Sequence, residues 1–205
     1  GLMGTTDTHT ALATSREENY FGKYAHTEPS PNRHNSEVIP ADDPALRIMT
    51  SQEQAGSLMA VWARENTRQD IFDSMHRKEV YATTGPRIAL RFFGGWEFTE
   101  ADVLQADFAS IGYQKGVPMG GDLTRGEKDA APRFMVAASR DPDGANLDRV
   151  QIIKGWLNAS GETEEKIFDV ALSDGRSGNW FSGDIPAVGN TVDIENATYS
   201  NSIGA

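Results

Sequence analysis

Apolar residues come in short runs along this chain, and their spacing changes character several times. Leu2 and Met3, followed by Gly4, Thr5 and Thr6, predict a short strand running into the loop Asp7-Thr8-His9-Thr10. From His26 to Pro44 the chain is polar and contains prolines, which predicts a long loop. Leu58 to Ala63 is the longest unbroken apolar run; it fits a strand buried on both faces, and a buried helix would share the pattern. Thr67 with Asp70 three residues later resembles a capping box in which Asp replaces Glu. It opens a helix from Gln69 to Lys78 whose apolar stripe, Ile71, Phe72 and Met75, is expected to face the core. Val80 to Thr83 predicts a strand and Thr84-Gly85-Pro86 a turn. Ile88, Leu90 and Phe92, alternating with Arg87, Ala89 and Arg91, predict a half-buried strand that Gly94-Gly95 ends.

Beyond Gly95 the pattern is mostly β. Phe134 to Ala138, Val150 to Ile153, Ile167 to Leu172 and Thr191 to Ile194 are short strand candidates separated by polar turns such as Asp141-Pro142-Asp143-Gly144 and Ser173-Asp174-Gly175. Glu100 to Tyr113 fits either helix or irregular structure. The expected class is therefore α+β, with a mixed unit over residues 1–93 and a β-rich, sandwich-like antiparallel unit over residues 94–205.

Charge sets the tail from residue 141 apart as a separately organised stretch with an acidic, solvated surface. Of the 205 residues, 30 are acidic and 19 basic, a net charge of −11 with neutral histidines. Residues 1–140 hold 19 acidic and 15 basic groups (−4), and residues 141–205 hold 11 and 4 (−7). The acidic balance argues against a nucleic-acid or anionic-membrane surface. The run from Leu58 to Ala63 is far short of the about 20 apolar residues that cross a bilayer. With no cysteine, disulfides, thiolate nucleophiles and iron–sulfur clusters are excluded, and any metal must be held by His, Asp, Glu or backbone oxygens. Both cytoplasm and periplasm are compatible with that composition.

Asp7-Thr8-His9 carries the sharpest candidate chemistry. A loop at a strand end can turn the carboxylate and the imidazole toward a common ion, and that donor pair suits zinc, manganese or iron; Asp beside Thr is equally a turn former. His26 and His34 lie in the polar loop, and His76 lies on the charged side of the helix; all three read as surface residues. Asp141 to Asp148 clusters oxygen donors but departs from the EF-hand, with Asn146 at the glycine position and Ile152 at the glutamate position, so it reads as a turn. The glycine-rich loop Gly116 to Asp122 is not followed by the Lys-Ser or Lys-Thr of a phosphate loop, and no Gly-x-Gly-x-x-Gly or Gly-x-Ser-x-Gly occurs.

Longer words carry a resemblance. Gly4-Thr5-Thr6-Asp7-Thr8-His9-Thr10, Glu17-Glu18-Asn19-Tyr20-Phe21-Gly22-Lys23, Ala60-Val61-Trp62-Ala63 with Asn66-Thr67-Arg68, and Tyr81 to Ile88 look like the C-terminal part of a bacterial family known as domain of unknown function 3604. Arg91 to Trp96, Gly116 to Leu123, Asp141 to Trp156, Val188 to Val192 and Ala197-Thr198-Tyr199 extend the match over nearly the whole chain. That family is similar to the polymerase-and-histidinol-phosphatase (PHP) group of metal-dependent phosphoesterases, which are distorted βα barrels with metals at the C-terminal ends of their strands.

The resemblance implies that residues 1–93 are a barrel remnant and that Asp7 and His9 are the last metal-ligand pair, for zinc or manganese. The group's N-terminal His-x-His and its intervening ligands have no counterpart in these residues. The expectation is a C-terminal portion of a hydrolase, inactive alone, whose partners are the missing barrel segment and a second copy pairing at the uncovered edges. The competing class is a non-enzymatic β-rich interaction or carbohydrate-binding module. Trp96, Trp156 and Trp180 are candidates for its surface, although burial in a core is the commoner fate of tryptophan.

Overall fold

A computed structural model describes residues 1–9, 30–32, 35–53, 56–124, 126, 130–178, 185–193 and 195–200. His26, His34, Trp180 and Ile194 lie outside the described residues. The chain divides into two compact units, Gly1–Ala137 and Ala138–Ala205. The described strands form five small sheets of two or three strands, with two α-helices, so the class is α+β. Every pair whose register is described is antiparallel. No helix among the described residues is long and apolar enough to cross a membrane.

In the first unit, β1 (Glu37–Ile39) lies inside the segment expected to be loop and pairs with β2 (Ile48–Met49) just beyond its end. The turn between them is held by Arg47, whose Nε and Nη2 donate to the Ala41 carbonyl and whose guanidinium lies 3.3 Å from Glu37. That side-chain clamp has no hydrophobic-pattern signature. The apolar run is β3 (Leu58–Val61), and it pairs in register with β4 (Val80–Thr83), Leu58 opposite Thr83 and Val61 opposite Val80.

Between them lies α1 (Arg68–His76), capped as the pattern predicts by Thr67, whose Oγ1 accepts from the Asp70 amide at 3.2 Å. Its buried face differs from the expected one. Ser74 is buried at 1% exposure and Ile71 is half-buried, whereas Phe72 and Met75 are 60% and 39% exposed. The helix docks through a narrow strip at which the small Ser74 permits close approach. Phe72 stands about 100° round the helix from Ile71, and its ring stacks instead on His76 with centroids 6.2 Å apart.

β5 (Ala89–Gly95) is the centre of the three-stranded sheet, flanked by β6 (Gly116–Pro118) and β7 (Arg133–Ser139). The division expected at 93/94 falls inside this strand. Its C-terminal half supplies the core: Phe93, Phe98 and Met135 are at most 2% exposed, and Phe108, Ala109 and Ile111 pack against them. The last three belong to α2 (Phe108–Lys115), in the region whose pattern was ambiguous. Gly112 explains how α2 comes so close, since a Cβ there would sit 2.5 Å from the Phe93 ring.

Asp102 ties the preceding turn to α2. Its carboxylate accepts from Lys115 Nζ at 2.8 Å and from the Thr99 amide and hydroxyl at 2.7 and 2.9 Å. The lysine bond first, then the threonine bonds, lower its pKa from the usual 3.8 to about 2. A folded-state pKa below the unfolded one contributes stability that is complete above the unfolded value and is lost as pH falls through the folded one, here between about 4 and 2. NMR titration of the Asp102 carboxyl should give a midpoint near 2, moving toward the ordinary carboxylate value in Lys115→Ala. A midpoint of the ordinary value in the unaltered chain would show that the clamp does not form.

In the second unit the long ribbon of β8 (Arg149–Leu157) and β9 (Thr163–Leu172) pairs from Arg149–Leu172 to Leu157–Thr163, with a register shift after Val150. A shorter pair joins β10 (Val192–Asp193) to β11 (Thr198–Tyr199). Asp141 to Gly144 is the expected turn, closed by the Asp143 amide donating to Asp141 Oδ1 and the Gly144 amide to the Asp141 carbonyl, both at 3.0 Å. Asp148 binds Arg149 at 2.7 Å and Arg176 at 2.8 Å, and those bonds hold its carboxyl below the usual range. Asp141 and Asp148 thus serve the turn and the ion pairs.

Candidate functional site

The segment leading to Asp7 and His9 forms no strand. Leu2 and Met3 are 78% and 62% exposed, and the segment joins the beginning of β3 through one backbone bond, from the Ser57 amide to the Thr5 carbonyl at 3.1 Å. It lies against the start of β3 but forms no ladder with that edge. What locates it is close backbone packing. Gly56, at φ +113°, lies so near that a Cβ would stand 2.6 Å from the Thr6 Cα, and a Cβ on Gly4 would stand 2.7 Å from the Leu58 carbonyl oxygen. Gly56→Ala combines that overlap with a φ that only glycine adopts freely. It is expected to cost about 1–3 kcal/mol and to release the Leu2–His9 segment, seen as faster amide exchange at Thr5 to His9.

Asp7 adopts a left-handed φ of 53°, which turns the chain so that its Oδ1 lies 3.3 Å from His9 Nε2. Both side chains are exposed, at 63% and 54%. The structure therefore brings the two expected ligands together at a loop, through a backbone conformation that asparagine and aspartate tolerate better than most residues. Among the described residues no group of three or more His, Asp or Glu side chains is placed to hold an ion.

A second constellation was not recognised from the sequence. Glu79, next to β4, is 3% exposed. Tyr113 OH donates to Glu79 Oε1 in a short bond and accepts from Arg91 Nη1 at 2.9 Å, while Arg91 and Arg77 lie 3.7 and 3.6 Å from the carboxylate. The Arg91 guanidinium stacks over the Trp62 ring at 3.4 Å, and Trp62 Nε1 donates to the Leu90 carbonyl at 2.9 Å. Burial first, then the bond to Glu79, push the Tyr113 hydroxyl above its usual pKa, so it stays protonated as a donor. Glu79 sits in the charged run His76-Arg77-Lys78-Glu79, which reads as solvated surface. The available signal was its position directly before the strand, where a turn delivers it beneath β5.

Trp96 and Trp156 are half-buried rather than core residues; Trp96 Nε1 donates to the Thr124 carbonyl, and Lys154 Nζ stands 4.8 Å over the Trp156 ring. An α+β chain of small antiparallel sheets with an exposed Asp-x-His loop is the class these features define. The family model described as "Protein of unknown function (DUF3604)" matches residues 1–205, and the chain belongs to that family. No curated protein and no solved structure matches it.

Proposed function

We propose that this chain is the C-terminal part of a metal-dependent phosphoesterase of the PHP type, to which it contributes Asp7 and His9, and that it has no turnover alone. The observation that supports this reading is the convergence of Asp7 Oδ1 and His9 Nε2 to 3.3 Å on an exposed loop. A carboxylate oxygen and an imidazole nitrogen are a suitable donor pair for zinc or manganese, and two donors are fewer than the three or more protein ligands of a catalytic site. The other ligands would come from chain outside these residues. When bound, a divalent ion acidifies water and neutralises charge on phosphoryl oxygens. Asp7 would supply a carboxylate oxygen and His9 an imidazole nitrogen, and the junction at Gly4 and Gly56 holds their loop in place.

On this reading the barrel contribution is confined to Leu2–His9, because β3 and β4 are antiparallel whereas barrel strands run parallel. The β8–β9 ribbon would be one layer of the sandwich. The exposed Phe72 and Met75 of α1 and the uncovered strand edges would pair with the rest of the barrel or with a second copy. Sedimentation of the chain at micromolar concentration should therefore show a dimer or larger species, and a monomer of 22.4 kDa alone would remove this part of the reading. The main test is the reading frame upstream of Gly1. It should encode His-x-His, and the extended protein should purify with stoichiometric zinc or manganese and hydrolyse a phosphomonoester. A metal-free, inactive extended protein would overturn the proposal.

A further inference from the structure

We propose that the second unit carries a binding site for a neutral saccharide, in the cleft between the Asp141–Asn146 turn and the β10–β11 pair. The proposal does not rest on the metal reading. The cleft has a volume of about 410 Å³ and is lined by Asp143, Asn146, Val188, Asn190, Val192 and Tyr199, among others. That is within the range of small-molecule sites.

Its framework is fixed by hydrogen bonds. Asn146 Oδ1 accepts from Arg140 at 3.3 Å, and Asn146 Nδ2 donates to the Gly189 carbonyl and to Thr191 Oγ1 at 3.4 Å. Thr191 Oγ1 donates to the Ser200 carbonyl at 2.6 Å, and Asn190 Oδ1 accepts from the Val192 amide at 3.0 Å. Asn146 thus ties the turn to the strand pair that forms the opposite wall.

Other polar groups on the lining are not used in this way. Among the described residues the Asp143 carboxylate, the Asn190 Nδ2 and the Tyr199 hydroxyl have no hydrogen-bond partner. Tyr199 is 52% exposed and Val192, its partner across the strand pair, is 58% exposed, so the wall offers an aromatic ring beside an aliphatic side chain.

A sugar ring has the complementary chemistry: a C–H face that packs on aromatic and aliphatic groups, and a hydroxyl edge that donates to a carboxylate and accepts from an amide. An anionic ligand fits poorly. The lining carries the Asp143 carboxylate and includes no lysine or arginine.

The test is heteronuclear NMR of the 205-residue chain, titrated to about 20 mM with cello-, xylo-, manno- and malto-oligosaccharides. At least one series should give saturable shifts centred on Asp143 to Asn146, Asn190 to Val192 and Tyr199. Tyr199→Ala should weaken that binding about tenfold or more and Asp143→Asn several-fold, with Trp156→Ala unchanged. Tyr199→Phe, which keeps the ring and removes the hydroxyl, serves if Tyr199→Ala unfolds, and should weaken binding several-fold. Absence of saturable shifts in all four series would overturn the proposal, as would shifts centred on Trp96 or Trp156, or displacement by inorganic phosphate. The readout needs neither metal nor turnover, so it fails or succeeds independently of the phosphoesterase reading.

Discussion

Asp7→Ala, made in the protein extended by its upstream reading frame, is expected to lower phosphoester turnover by at least about 100-fold and to reduce bound metal below stoichiometry. His9→Ala should do the same. The two side chains are exposed, at 63% and 54%, so either truncation should shift the melting temperature of the metal-free protein only slightly, the cost in Asp7→Ala being that of alanine at a left-handed φ. That separation distinguishes a ligand from a fold determinant. Gly56→Ala makes the complementary comparison, because it keeps both donors and disturbs the backbone that places them. It should weaken metal affinity less than Asp7→Ala while destabilising the Leu2–His9 segment more. Full metal content and activity in Asp7→Ala would return Asp7 to the role of a turn former, which its left-handed φ of 53° already suits.

Local chemistry was legible where a short-range rule decides the outcome. Thr67 caps α1 and Val80–Thr83 is a strand because a single hydrogen bond and a run of β-favouring residues suffice. Gly94-Gly95 ends β5 as read. The β8–β9 ribbon was found too short, since its outer ends rest on register with a partner rather than on alternation.

Features governed by distant residues were not legible. The Leu2–Thr6 word is strand-like, but a strand exists only if a neighbouring edge accepts its hydrogen bonds. Similarly, the stripe on α1 marks three apolar positions, but the partner surface selects Ser74 and Ile71 and leaves Phe72 outside. At the candidate site the residue types of Asp7 and His9 were readable from their spacing. The glycine junction that positions them was not, because Gly4 meets Leu58 and Gly56 meets Thr6, residues far off in sequence, only in the fold.

Glu79 is the clearest case of a residue whose sequence neighbourhood misleads, and its replacement should have the largest effect on stability. Glu79→Ala removes the acceptor of Tyr113 and the counter-charge of Arg91, both held between α2 and β5. Removing one member of a buried pair strands the other, at a cost of about 3–5 kcal/mol for full burial. The Arg91 side chain keeps 23% exposure and Arg77 54%, so water recovers part of that cost. A loss of about 2–4 kcal/mol is expected, a fall of about 10 °C in the melting temperature of the first unit. Glu79→Gln keeps an acceptor for Tyr113 and should lose about half as much. Replacing the pair together, Glu79→Leu with Arg91→Met, should recover at least about 1 kcal/mol relative to the sum of the single changes, because no uncompensated charge remains. Thermal and urea unfolding of the four chains measures that coupling directly. Additive losses, or a Glu79→Ala variant within about 0.5 kcal/mol of the parent, would show that Arg91 is held by its stacking on Trp62 rather than by the carboxylate.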